Sequence, residues 1–441
     1  MPVPPQGKPA NQISAEIEES LSGDADWRGG KIWSLVYFAG DDVATVIRDA
    51  YERAIYTNGL GPAAFRSLKR FESETLGFTS HLLGLPSAVG NMTSGGTESI
   101  LMAVKTARDF ARAEKGITQP ELIAPVTAHP AFYKAADYLG VNVVLAGLRE
   151  DLRADPAEIE RAITPNTVLI VGSAPNYPYG AVDPIPEIAG IALAHDIPCH
   201  VDACLGGFML PFMERNGDTV PPWNFRVPGV SSISADNHKY GFAARGASTI
   251  MYRDNDYRRH QFFAYTDWPG GLYGSPTMTG SKPGGAIAAA WAVINYLGED
   301  GYKRLARITM DTTRALQQGI AGIEGLKILG DPNMSVFAFT GDGIDINAVG
   351  DAMDASGWHP DRQHLPASLH MMVTPAHEHV VEPFLTALRE CVQRVKSGEV
   401  TAGKRAAIYG ALDAMEDRGP VRDLIFRGME RITAHEGLDS A

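Results

Sequence analysis

The sequence predicts an α/β fold built on a mostly parallel sheet, followed by a smaller α+β domain. Three observations carry that prediction. Between about residues 96 and 252, short β-branched runs alternate with helical stretches, the pattern of strands joined by covering helices. The run 167–172 is continuously apolar, as a strand buried on both faces requires. Beyond about residue 298, short strands and helices mix in a different rhythm.

Taken in order, residues 1–12 are Pro-rich and polar and read as a loose arm. Residues 13–85 are mostly helical in pattern, with 44–57 clearly amphipathic. The stretch 96–115 is a helix with Ile100, Val104 and Ala107 on one face. Strands follow at 122–126 and 141–145. Asp155 then caps a helix that has Pro156 at its first position. A helix over 184–195 separates the 167–172 strand from the next, at 198–202. Apolar runs at 230–233 and 247–252 bracket a polar loop. The Ala-rich stretch 284–298 reads as a buried helix, since it falls short of the ~20 apolar residues that a membrane span needs. A long helix (301–323), strands at 326–328, 335–339 and 370–373, and helices at 346–356 and 380–396 complete the smaller domain. The expected division is an N-terminal arm and helical segment (1–60), a large domain (61–298) and a small domain (299–441).

The chain's 441 residues suffice for such a core, and 44% hydrophobic with 21% charged residues is ordinary for a globular protein. The formal net charge of −13 argues against nucleic acid as a partner. Cys199, Cys204 and Cys391 make no metal-ligand or paired pattern, so no metal is expected, and a reducing cytoplasm fits. Neither a secretory signal nor a membrane anchor is expected, because the N-terminal stretch lacks an apolar segment.

Three segments carry chemistry. Lys239 sits in Ala235-Asp236-Asn237-His238-Lys239-Tyr240-Gly241, between two strands. Asp202 ends the strand Cys199-His200-Val201-Asp202 and precedes Gly206-Gly207. Ser94-Gly95-Gly96-Thr97 opens a helix. Each alone is a solvated lysine, a turn aspartate or a common Gly-Gly turn. Together they are the contacts of pyridoxal 5′-phosphate (PLP): an amine to form the Schiff base, a carboxylate for the pyridinium nitrogen, and a helix start to receive the phosphate. Burial beside the cofactor's charge is expected to depress the pKa of Lys239. His129, in a loop after a strand, is either a satisfied loop histidine or an imidazole stacked on the pyridine ring. The segment Gly280-Ser281-Lys282-Pro283-Gly284 is either a flexible loop or a second phosphate contact donated across a dimer interface.

The chain resembles the sphingosine-1-phosphate lyases within the PLP-dependent group II decarboxylase superfamily, fold type I. The resemblance runs from about residue 30 to 410. It rests on His200-Val201-Asp202-Ala203-Cys204-Leu205-Gly206-Gly207-Phe208, residues 231–241, Thr266-Asp267-Trp268 with Gly270-Gly271, Ser275-Pro276-Thr277 with Gly280-Ser281, and Ala407-Ile408-Tyr409-Gly410. It implies an aminotransferase-like architecture with a seven-stranded, mostly parallel sheet, working as a homodimer. It also implies retro-aldol Cα–Cβ cleavage of a phosphorylated sphingoid base to a long-chain aldehyde and phosphoethanolamine. The alternatives are an amino-acid decarboxylase, or an aldolase acting on a non-phosphorylated β-hydroxy amino acid.

By the same resemblance Lys239 is the Schiff-base lysine, Asp202 the pyridinium partner and His129 the stacking residue. Ser94, Gly95, Thr97 and His238 contact the cofactor phosphate, and Gly280 and Ser281 reach the neighbouring subunit's site. Tyr37 is an active-site tyrosine, and Asn58, Arg245 and Tyr273 lie with the substrate. The chain departs from the pattern at Gly61 (usually histidine), Arg245 (usually lysine), Phe242 (tyrosine) and Tyr179 (histidine in some members).

Overall fold

The computed structural model describes residues 3–401, 403 and 419–433. Its large unit is a seven-stranded sheet of β1 (Val89–Thr93), β2 (Glu121–Pro125), β3 (Asn142–Ala146), β4 (Thr167–Ser173), β5 (Cys199–Asp202), β6 (Val230–Ala235) and β7 (Ser248–Tyr252), in the order β1-β7-β6-β5-β4-β2-β3. All neighbours pair in parallel except β7, which runs antiparallel to β6 and β1. The expected mostly parallel sheet is therefore present. The interior strand β4 is buried at every residue, which explains its unbroken apolar run.

The helices cover both faces of this sheet. Gly96–Lys115 ends on Gly116 in the left-handed region, and Asp155 caps Pro156–Arg161 through Ala157 N–H, both as the sequence indicated. One helix spans Gly284–Ala321 with a break at Gly298 (φ 56°), so the two stretches separated in the sequence are contiguous.

The second sheet is antiparallel, ordered β10 (Leu326–Ile328), β11 (Val336–Gly341), β13 (Ala367–Met372), β12 (Asp361–His364). A two-stranded ribbon pairs β8 (Phe263–Tyr265) with β9 (Tyr273–Ser275). The N-terminal segment is not a separate body. Fully buried Trp33 stacks on His377 with ring centroids 4.2 Å apart and joins the core of the small sheet, and the Trp33 carbonyl accepts from Met372 N–H. The arm is also shorter than expected, because a helix already begins at Ala10.

Strand β1 escaped the sequence reading. Val89-Gly90-Asn91-Met92-Thr93 has poor intrinsic β preference, and its pairing with β7 along five residues holds it. Among the described residues no helix is long and apolar enough to cross a membrane. The segment 407–410 lies outside the described residues.

Candidate active site

In open α/β sheets ligands sit beyond the carboxyl ends of the strands. Here that edge forms a cavity of about 390 Å³. Ser94 and Gly95 follow β1, His129 follows β2, Asp202 ends β5, and His238 and Lys239 follow β6; all of them line the cavity, as does Thr97. These seven residues thus converge within one chain, whereas Gly280 and Ser281 do not line the cavity. Tight backbone approaches fix this edge. A Cβ at Gly206 would meet the Ala174 carbonyl oxygen at 2.1 Å, so only glycine fits directly behind Asp202.

Asp202 is buried and accepts from Cys204 N–H (3.0 Å) and Ser234 Oγ (3.2 Å), both on Oδ1. Behind it, His200 is fully buried and burial pushes its pKa down to about 4, so it is neutral. Its Nε2 lies 3.3 Å from Ser234 Oγ and its Nδ1 2.9 Å from Ser232 Oγ. Because Ser234 donates to Asp202, it accepts from His200, which places the imidazole proton on Nε2.

Burial also lowers the pKa of His129. Its Nδ1 accepts from Ala131 N–H at 3.1 Å, so the neutral ring carries its proton on Nε2. His238 is likewise held neutral by burial, with Nδ1 accepting from Ala247 N–H at 3.3 Å. The Ser94 hydroxyl does not point at the phosphate position as expected. It donates to Glu98 (2.6 Å), which also accepts from Ser94 N–H (2.7 Å) and from the N–H groups of Met278 and Thr279. Glu98 therefore braces the turn, and the N–H groups at the helix start, Gly96 and Thr97, have no partner within the helix.

The expectation for Lys239 needs correction. Burial does oppose its charge, but Asp236 lies 3.0 Å from Nζ and outweighs burial, so the pKa is raised rather than depressed. The sequence reading passed over Asp236. Its position three residues before the lysine was visible, but which way its side chain turns is set by the 236–242 turn, closed by Lys239 N–H to Asp236 O and Phe242 N–H to Lys239 O.

The remaining expected residues fall in two further places. Tyr37 is half-buried beside the cavity, edge-on to Tyr240 (5.0 Å), with the exposed Arg245 guanidinium 5.4 Å above its ring. Burial pushes the Tyr37 phenol up to about 12. Asn58, by contrast, does not line the cavity. It donates to Ser281 Oγ (3.0 Å) and accepts from Lys282 N–H (3.1 Å), while Tyr273 Oη stands 3.1 Å from where a Cβ on Gly280 would be. Lys282 pairs with Glu72 at 2.7 Å. The Gly280 loop is thus stitched to its own chain.

Two more departures have structural readings. Tyr179 is buried and its hydroxyl donates to the Leu365 carbonyl, whereas Tyr177, two residues earlier, lines the cavity. Phe242 packs among Tyr240 and Tyr302 at φ 54°. Tyr177 and Cys204 are lining residues the sequence reading missed; both lie just past a strand end, which was the available signal.

The cavity fits PLP on its own terms. A Cβ on Gly96 would stand 2.7 Å from Cys204 Sγ and 2.9 Å from Asp236 Oδ2, so any side chain there would fill the cradle at the helix start. The Asp236 carboxylate is buried with no backbone N–H on either oxygen, beside the one amine of the cavity.

Fold and cavity together define a PLP-dependent enzyme of fold type I. Residues 3–341 match the pyridoxal-dependent decarboxylase conserved domain. The chain is 44% identical over 432 residues to the sphingosine-1-phosphate lyase of Oryza sativa, covering 96% of this chain and 80% of that one. It is 41% identical to sphingosine-1-phosphate lyase 1 of Rattus norvegicus, covering 96% and 75%. The solved sphingosine-1-phosphate lyase of Burkholderia pseudomallei superposes with a TM-score of 0.91 at 36% identity, covering 99% of this chain and 98% of that one. The chain belongs to the sphingosine-1-phosphate lyase family of the pyridoxal-dependent decarboxylases, and is a PLP-dependent carbon–carbon lyase.

Proposed function

We propose that the enzyme cleaves the Cα–Cβ bond of a phosphorylated sphingoid base, giving a long-chain aldehyde and phosphoethanolamine. The observation that carries this reading is a PLP-type cavity at the strand ends with an exposed cation, Arg245, poised beside it over Tyr37; relatives over 40% identical bear the name of that activity. When bound, PLP supplies the electron sink that stabilises a carbanion at the substrate's α-carbon.

The chain's own groups divide the remaining work. Lys239 would hold the cofactor covalently, Asp202 would keep its pyridine nitrogen protonated, and His129 would pack on its ring. Gly95, Thr97 and His238 hold the cofactor phosphate, with Ser94 setting their turn through Glu98. Arg245 receives the substrate phosphate, for which a guanidinium offers a bidentate fork. Tyr37, whose phenol stays protonated, donates a hydrogen bond to substrate oxygen, and neutral His129, with Nδ1 held by Ala131 N–H, offers its Nε2 proton as a second donor. Gly280, Ser281, Asn58 and Tyr273 form one block outside this chain's cavity. Its use is at the neighbouring subunit's site in a homodimer. The three free, buried cysteines fit a reducing cytoplasm.

Gly61, in place of the usual histidine, favours weighing a second substrate class, the non-phosphorylated β-hydroxy amino acids. Side-by-side kinetics decide. Phosphorylated sphingoid base should release aldehyde and phosphoethanolamine with the higher kcat/KM. Faster cleavage of a threonine analogue, or carbon dioxide release from amino acids without aldehyde, contradicts the proposal. A Cβ on Gly61 would meet only ordinary contacts, at 3.8 Å or more, so Gly61→His should fold and should raise turnover of the phosphorylated substrate.

A further inference from the structure

The carboxylate of Asp236 is anomalous. Its side chain is 1% exposed, yet neither oxygen accepts a hydrogen bond of sound geometry. Buried carboxylates ordinarily collect several donors. What Asp236 has instead is one charged partner, Lys239 Nζ at 3.0 Å, with the neutral His238 ring farther off, Nε2 at 3.7 Å. Such an arrangement stabilises an ion rather than fixing a shape.

We infer that Asp236 is a positioning residue that keeps Lys239 as an ammonium whenever its side chain is free, and thereby sets the pH at which the lysine can take up the cofactor. The inference rests on the reading of Lys239 as the covalent PLP residue.

The surroundings leave Asp236 as the controlling group. Asp202 and Cys204 face Lys239 from the end of β5, Tyr37 from the N-terminal segment, and His238 and Arg245 belong to the same loop; His129 faces it from the loop after β2. Of these, Asp236 alone contacts Nζ as an ion pair. Burial opposes the charge on both members. Lys239 and His238 nevertheless hold the Asp236 carboxyl below its ordinary range, while Asp236, then Cys204, Tyr37 and Asp202, hold Lys239 above its own.

The chemical consequence follows from the balance of the attachment step. A neutral Nζ forms the bond to the cofactor's aldehyde carbon, the aldehyde oxygen leaves as water, and the proton that Nζ carried as an ammonium passes to solvent. The ammonium has no lone pair and cannot begin this step. While Asp236 holds the proton on Nζ, attachment at neutral pH proceeds only through the small neutral fraction. During turnover, a lysine displaced by the substrate's amine is retained as a proton donor at Nζ and does not compete as a nucleophile.

The test uses cofactor-stripped full-length protein. PLP is added across a pH series, early time points are quenched with borohydride, and the labelled Lys239 peptide is quantified. For the wild type the attachment rate should rise with pH to an alkaline midpoint. Asp236→Asn, nearly isosteric, should move the midpoint down by at least about one pH unit and raise the rate at pH 7 by roughly tenfold. Rescue by Asp236→Glu should return it toward the wild-type value. An unchanged midpoint in Asp236→Asn overturns the inference. Should Asp236→Asn fail to fold, competitive amine labelling of the stripped wild type decides instead: Lys239 should react with a midpoint above that of exposed Lys69, and an ordinary or lower midpoint overturns the inference. Label on a lysine other than Lys239 defeats the assignment of the cofactor lysine instead, so the two failures are distinguishable.

Discussion

The cavity has two walls of different origin. One is the carboxyl edge of the seven-stranded sheet, where each functional group sits at a strand end or up to four residues past it. The other is a supporting wall behind that lining, the four-stranded sheet, none of whose strand residues lines the cavity itself. There, Tyr177 stacks on His370 (4.4 Å) and donates to Asp361 (3.4 Å), and Tyr240, next to Lys239, is tied by its hydroxyl to the Val373 carbonyl and Ser335. The first wall carries the charged chemistry. The second holds the first wall's loops in place by aromatic packing and single hydrogen bonds. The difference teaches that local motifs encode the reactive groups, whereas contacts between distant segments encode their support.

Substitutions on the two walls should therefore differ sharply in size. Lys239→Ala should abolish covalent cofactor retention and lower kcat by at least about 10³-fold, measured as aldehyde release. Asp202→Asn should lower kcat on the order of 10²–10³-fold, as loss of one charge that stabilises the reacting centre does, with cofactor still retained. Losses of that size from Tyr177→Phe would break the distinction.

Acid stability sharpens it in another way, because each sheet buries one neutral histidine. His200 and His370 have folded pKa values pushed by burial to about 4, below the ordinary 6.5. The unfolded chain thus binds these protons first. Stability should be full above about pH 6.5 and fall as pH drops toward 4, by roughly 3 kcal/mol for each histidine. Denaturant unfolding at pH 7 and 4.5 measures this, and His200→Gln and His370→Gln should each flatten the slope by a similar amount. Arg245→Ala, at the boundary between the walls, should raise KM for the phosphorylated substrate by roughly 10- to 100-fold, with little change in cofactor affinity. Smallest of all, Asp361→Asn weakens one long hydrogen bond and should cost at most about tenfold in kcat.

Legibility in the sequence followed the same division. Lys239, Asp202 and the Ser94–Thr97 turn were readable because strand, turn and helix signals lie within a few residues of each. The parallel sheet was readable for the same reason, from runs such as 167–172. The charge state of Lys239 was not, since it depends on the direction in which the 236–242 turn aims Asp236. Tyr177, Asp361 and His370 were invisible because their meeting requires β12 and β13 to pack against the loop after β4, nearly two hundred residues earlier in the chain. The roles of Asn58 and Ser281 look different once their hydrogen bond is known, a contact that no spacing rule predicts.

The central claim is that the chemistry resides on the strand-end wall, at Lys239. Reduction of the yellow holoenzyme with borohydride, followed by peptide mapping, tests it most directly. The account predicts the pyridoxyl label on Lys239. Label on Lys282, a part-buried lysine that the structure pairs with Glu72, would contradict it.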